Sequence, residues 1–117
     1  MTNEDKFPDV PGAAELVARF GSWPSFQDAE VRSVHLNREG PSRIWVATKQ
    51  VVLTFVLGGV TELALNGFNG RNALSALTLT KNSAGYILEL WPGHGISGTI
   101  TARSVRVEFV PVEQQGR

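Results

Sequence analysis

From Asp28 onward, apolar and polar residues alternate with a period of two; before it they do not. The alternation predicts strands at 29–37, 43–48, 50–57, 60–65, 75–81, 86–91, 97–102 and 104–110. Within 104–110, Val105, Val107 and Phe109 share one face while Arg106 and Glu108 take the other, which describes a strand buried on one side. In 50–57 both faces are apolar, with Val51, Leu53, Phe55 and Leu57 against Val52, Thr54 and Val56, so this strand is expected to be central and covered on both sides. Upstream, Leu16, Val17 and Phe20 form a stripe at helical spacing. Pro11-Gly12 opens this helix, about 12–20, and Gly21 caps its end.

The punctuation between strands has its own chemistry. Gly58-Gly59, between VVLTFVL and VTELAL, predicts a two-residue hairpin, because such turns need positive φ. Glu39-Gly40-Pro41-Ser42, Asn82-Ser83-Ala84-Gly85 and Pro92-Gly93-His94-Gly95 predict further turns. Asn66–Asn72, with two Asn-Gly pairs, predicts a longer loop that bends twice. The expected fold is mainly β: an antiparallel curled sheet, sandwich or half-barrel of about eight short strands, with one short N-terminal helix packed against it. Residues 1–117 read as a single domain, with 1–11 as a loose lead-in and 112–117 as a polar tail.

Composition narrows the function classes. The net charge is zero, which speaks against a nucleic-acid footprint, and no cluster of bases suits an anionic membrane. The charge is uneven: residues 1–40 are net −3 and the remainder net +3. The absence of cysteine removes disulfides, zinc–thiolate sites and thiol catalysis. The first residues lack a basic segment followed by an apolar one, and no apolar run approaches the roughly 20 residues a membrane helix requires. A cytoplasmic location is the resulting expectation.

The densest chemistry lies in Phe20–Val31, with three aromatics, a proline and two carboxylates. On a straight strand Asp28 and Glu30 share a face, roughly 6.5–7 Å apart. Parallel neighbours on one strand suit neither a glycosidase pair, which must flank a bond, nor a metal, which needs further ligands. On such a strand the two would share parity with Val34 and Leu36, at the rim of the core, while His35 would face away. That leaves Asp28 and Glu30 either as braces of the helix–loop–strand junction or as a recognition surface. Phe26 reads as core. Trp23, Trp45 and Trp91 divide between core and interface roles, and His94 lies in a distant glycine-rich turn. Neither a nucleophile triad nor a phosphate-binding or dinucleotide-binding loop is recognisable, so no catalytic, cofactor-binding or metal residue is assigned.

The run FGSWPSFQDAEV, the strands that follow, LALNGFNGRNAL, and the Gly-His-Gly turn before ITARSVRVEFVPV together resemble the immunity protein 50 family of bacterial polymorphic toxin systems. The resemblance spans roughly 12–112. The aromatic-x-Asp-x-Glu motif of that family falls on Phe26, Asp28 and Glu30, with Trp23 just upstream. Phe26 stands where the motif has Trp, and Gln27 where similar sequences carry His. The resemblance implies a small cytoplasmic protein, not an enzyme, that neutralises a cognate protein toxin by direct contact. It implies Trp23, Phe26, Asp28 and Glu30 as partner-binding or structural residues, with Trp45, Trp91 and His94 as lesser candidates. Two other readings stay open from the residues alone: a small metal-dependent or acid–base hydrolase using Asp28 and Glu30, and a small-ligand-binding β-domain. A homodimer also stays open.

Overall fold

The computed structural model describes residues 7–112. Helix α1 (Ala13–Phe20) is followed by six strands: β1 (Glu30–His35), β2 (Ser42–Ala47), β3 (Val51–Asn66), β4 (Ala73–Asn82), β5 (Gly85–His94) and β6 (Ser97–Pro111). All pairings are antiparallel, in the order β1-β2-β3-β6-β5-β4, and β4 meets β1 again to close a ring. The ring is uneven. The β3–β6 seam runs from Val51–Pro111 to Asn66–Ser97, whereas β1 and β4 share only the pair Glu30–Ala73.

The eight expected strands become six because two pairs of them fuse. Gly58-Gly59 is not a hairpin: β3 passes straight through it, with Gly58 opposite Ser104 of β6. Gly59 takes φ 64, in the left-handed region, and a register shift follows between Val60 and Glu62. The glycine pair thus serves as a bend in one long strand, a use of glycine that local sequence cannot distinguish from a turn. Opposite it, 97–102 and 104–110 join into β6. The bend divides the sheet into two halves. One comprises β1, β2, the start of β3 and the end of β6. The other comprises the end of β3, the start of β6, β5 and β4.

The core lies between these halves. Inward rows cross the first half as Val31–Val46–Leu53–Phe109 and Val34–Ile44–Phe55–Val107. Leu63–Ile100–Leu88–Leu79 crosses the second. As expected for 50–57, β3 is buried on both faces, with Thr54 half-buried. Its outward Val56 lies between Arg43 and Arg106 in register, placing a valine between two long side chains whose stems can cover it. The Asn82–Gly85 turn forms as expected, with Asn82 Oδ1 accepting from the N–H groups of Ala84 and Gly85. Pro92 and Gly93 instead stay in β5, and the reversal falls at Gly95-Ile96.

The helix matches the expected span. Ala13 and Leu16 are fully buried, Phe20 meets Phe109 edge-on at 6.0 Å, and the Gly21 N–H donates to Val17 O. Residues 7–11, expected to be a loose lead-in, are packed instead. Val10 is buried in the core, and Pro11 O accepts a hydrogen bond from the Val107 N–H at 2.8 Å. Residues 1–6 and most of the expected tail, 113–117, lie outside the described residues.

Gly12 makes this docking close. Its φ is 94, and a Cβ there would run into the Val107 carbonyl. Gly12→Ala is therefore expected to cost about 2–3 kcal/mol in urea unfolding. Gly70→Ala, in an open loop with nothing within 4 Å, should stay within about 0.5 kcal/mol. Equal costs at both positions would remove the Gly12 contact as a determinant of stability.

Candidate functional site

The segment Phe20–Val31 builds a junction, and its backbone does most of the joining. Gly21 ends α1, and the chain runs through Trp23 and Pro24 to Phe26, which is buried. The Ala29 N–H returns to Phe26 O at 3.0 Å, tightening a turn around Gln27-Asp28. Asp28 takes φ 66, the one non-glycine with positive φ among the described residues. Aspartate tolerates this conformation better than most side chains. The turn aims Asp28 N–H at Leu74 O (2.8 Å), after which Leu74 N–H donates to Ala29 O (2.8 Å) and Val31 N–H to Asn72 O (2.8 Å). These three bonds and the pair Glu30–Ala73 join β1 to β4.

The partner side of this seam is preset by asparagine. Asn72 is buried; its Oδ1 accepts from the Asn69 N–H and its amide donates to Asn69 O. Asn69 Oδ1 in turn accepts from the Arg71 N–H. The loop 67–72 is thereby shaped before it delivers the Asn72 carbonyl to Val31. The Asn-Gly pairs marked this loop as a bend; nothing local marked it as half of a seam.

The carboxylates do not sit where straight-strand parity placed them. β1 carries a bulge at Arg32, between Val31–Val46 and Ser33–Trp45. The extra residue reverses parity, so Glu30, Ser33 and His35 share the outer face while Val31 and Val34 point inward. Glu30 is therefore not at the core's rim, and His35 does not face away from it. Asp28 lies in the turn, exposed, and lines a hollow of about 420 Å³ with Lys49, Gln50 and Phe20. Glu30 is exposed and 3.7 Å from Arg32, with both side chains about half accessible. Neither carboxylate is a buried brace; the backbone around them is.

The other candidates separate. Trp23 is half-buried and meets Phe26 at 5.8 Å and Phe55 at 6.5 Å, both edge-on, so it closes the core beneath the junction. Trp45 is half-buried on the outer face, between Ser33 and Thr54 in register. Trp91 is 46% exposed and its indole N–H donates to Thr78 Oγ1 at 3.3 Å. His94, expected to be remote from the carboxylates, pairs with Ala73 and so shares a row with Glu30, one strand away on either side of Ala73. That spacing is roughly 10 Å between backbones. No group of three His, Asp or Glu close enough to hold a metal occurs among the described residues.

A second surface was missed by sequence reasoning. Leu36, Leu63 and Phe68 are 51%, 43% and 56% exposed. Two adjoining hollows of about 600 and 460 Å³ share Leu36 and Leu63, and the smaller also takes in Val34, Leu65 and Phe68. One signal was available: Phe68, an aromatic residue between two Asn-Gly pairs, has no turn chemistry to perform. Leu63 gave none, because its exposure follows from β2 ending at the Ser42–Leu57 pair.

This uneven β-ring with one docked helix and an apolar groove is a small protein whose most evident surface feature suits contact with another macromolecule. Residues 12–113 match the family described as Immunity protein 50. The chain belongs to that family. No curated protein and no solved structure matches it.

The motif residues are expected to separate by role. Phe26→Ala should cost about 3–5 kcal/mol. Asp28→Val should cost about 1–2 kcal/mol through the left-handed backbone, while Asp28→Asn stays near wild type. Glu30→Gln should stay within about 0.5 kcal/mol, because an exposed pair contributes little. Urea melts of the four variants measure this, and a Glu30→Gln cost matching that of Phe26→Ala would restore the brace reading.

Proposed function

We propose that this protein binds a cognate bacterial toxin in the cytoplasm of the producing cell and neutralises it by direct protein–protein contact. The observation that carries this reading is membership of an immunity-protein family over nearly the whole chain. The surface agrees with it: an exposed apolar groove, together with Trp45 and Trp91 reaching solvent, has the composition of protein interfaces. Glu30, on the outer face, and Asp28, in the hollow beside Lys49, are the motif side chains free to touch a partner. The acidic first third of the chain would steer a basic toxin towards it.

The test is growth. The reading frame beside this gene is expressed in a tester strain with and without this protein. It is expected to arrest growth alone and to be harmless on co-expression, and the purified pair should associate more slowly as salt rises. A neighbour that is benign, or that still kills when this protein is well expressed, would refute the proposal. An association rate indifferent to salt would remove the steering component alone.

A further inference from the structure

The two halves of the sheet present four edges, and three of them are paired in part. The edge of β6 receives Pro11 through the Val107 N–H. The edges of β1 and β4 meet at Glu30–Ala73 and through Asp28–Leu74 and Val31–Asn72; beyond Leu74 the β4 edge has no backbone partner among the described residues, but Phe7, Pro8 and Trp23 lie beside its Leu77 and Leu79. The fourth is β3 from Val60 to Asn66. It pairs with β6 along one side, and β2 ends before it, so among the described residues no strand or loop hydrogen-bonds its other side.

This edge is chemically prepared for a strand. A Cβ built on Gly98 of β6 would strike the Ala64 carbonyl, so that carbonyl points into the β3–β6 seam. In an antiparallel ladder successive residues alternate, which turns the N–H and C=O of Leu63 and Leu65 to the bare side. The side chains of Leu63 and Leu65 lie on the ring's inner face, opposite Ile100 and Gly98. Leu63 is nevertheless 43% exposed, because no neighbouring strand covers it, and Leu36 and Phe68 flank the same groove. Long bare edges with apolar side chains are a liability unless a partner occupies them.

Charge indicates which partner. Glu62 is exposed on the outer side of this edge and takes part in neither ion pair found among the described residues. Pairing the whole edge with a second copy centres on Leu63 and sets the two Glu62 carboxylates diagonally across the junction, roughly 7–8 Å apart between backbones. A strand with lysine or arginine at that position makes an attractive pair instead.

We propose that the edge Val60–Asn66 takes up an extended segment of the toxin as an added strand. Alternate apolar side chains of that segment enter the groove beside Leu36, Leu63 and Phe68, and a basic residue faces Glu62. The proposal rests on the toxin-binding reading above and names its contact. Strand addition of this kind draws affinity from main-chain bonds and specificity from the alternating side chains.

The probe is the purified toxic product of the adjacent reading frame. Its binding is followed by calorimetry against wild type, Leu65→Pro and Glu62→Lys, with melting curves for each, and amide hydrogen exchange is compared between free protein and complex. Leu65→Pro removes an outward N–H at a position where an edge strand tolerates proline. It is expected to weaken binding roughly 10- to 100-fold, and Glu62→Lys by a smaller factor that shrinks with salt. The amides of Leu63 and Leu65 should slow in the complex; Glu62→Lys should melt near wild type, and Leu65→Pro somewhat lower, because Leu65 is half-buried against the core. If Leu65→Pro fails to fold, Glu62→Lys and the exchange pattern decide. Full-affinity binding by the variants with unprotected amides at Leu63 and Leu65 would sink the edge proposal and leave toxin binding standing. Absence of binding by wild type would sink both. A wild-type dimer dispersed by Leu65→Pro would give the edge to a second copy and overturn the proposal.

Discussion

The structure depends on three backbone hydrogen bonds between residues 28–31 and 72–74. They join the first strand to the fourth, more than forty positions along the chain, and so turn a bent sheet into a ring. Each such bond contributes about 0.5–1.5 kcal/mol net, a substantial share of the 5–15 kcal/mol that holds a typical domain together. Their larger effect is geometric. The two halves of the sheet are continuous only through β3 and β6, which both bend at Gly58–Ser104. Without the seam, the inward rows would face one another across a hinge. With it, Trp23 and Phe26 are held over Phe55 and the core is closed at that end.

Seen from this constraint, the uneven outline of the molecule has a cause. The seam occupies the first two residues of β1 and the first two of β4, because the turn at Gln27-Asp28 and the asparagine-shaped loop before Ala73 deliver their carbonyls and amides only there. Past it the strands diverge. β2 is too short to follow β3 beyond Leu57, so the ring opens along Val60–Asn66. The short closure and the open apolar groove are consequences of the same strand lengths.

The elements were largely legible in the alternation and the boundaries less so. Inward and outward positions of 104–110 and the double burial of 50–57 follow from period two and a local pattern. The helix, its Gly21 cap and the Asn82 turn follow from the chemistry of single residues. What was not legible depends on partners distant in sequence. Gly58-Gly59 has the composition of a hairpin, and only its pairing with β6 through the bend makes it a strand interior. The bulge at Arg32 has no composition signature, yet it alone decides that Glu30 faces outward with His35 rather than inward with Val34. For the same reason the meeting of Glu30, Ala73 and His94 in one row could not be read before the ring was known to close.

These corrections change what the Phe26-x-Asp28-x-Glu30 motif means physically. Phe26 fills the core, and Asp28 supplies a left-handed turn whose N–H begins the seam. Two of the three residues thus act on the ring itself, and Glu30 alone projects from the sheet. A sequence can keep this motif and therefore keep the closed end of the ring, whatever lies along the open edge. The side chains that line the groove are free of the seam: exchanging Leu36, Leu63 or Phe68 for other apolar residues disturbs no hydrogen bond that closes the sheet. Closure rests on backbone bonds and the groove on side chains, so the apolar surface can be altered without loosening the closure beside it.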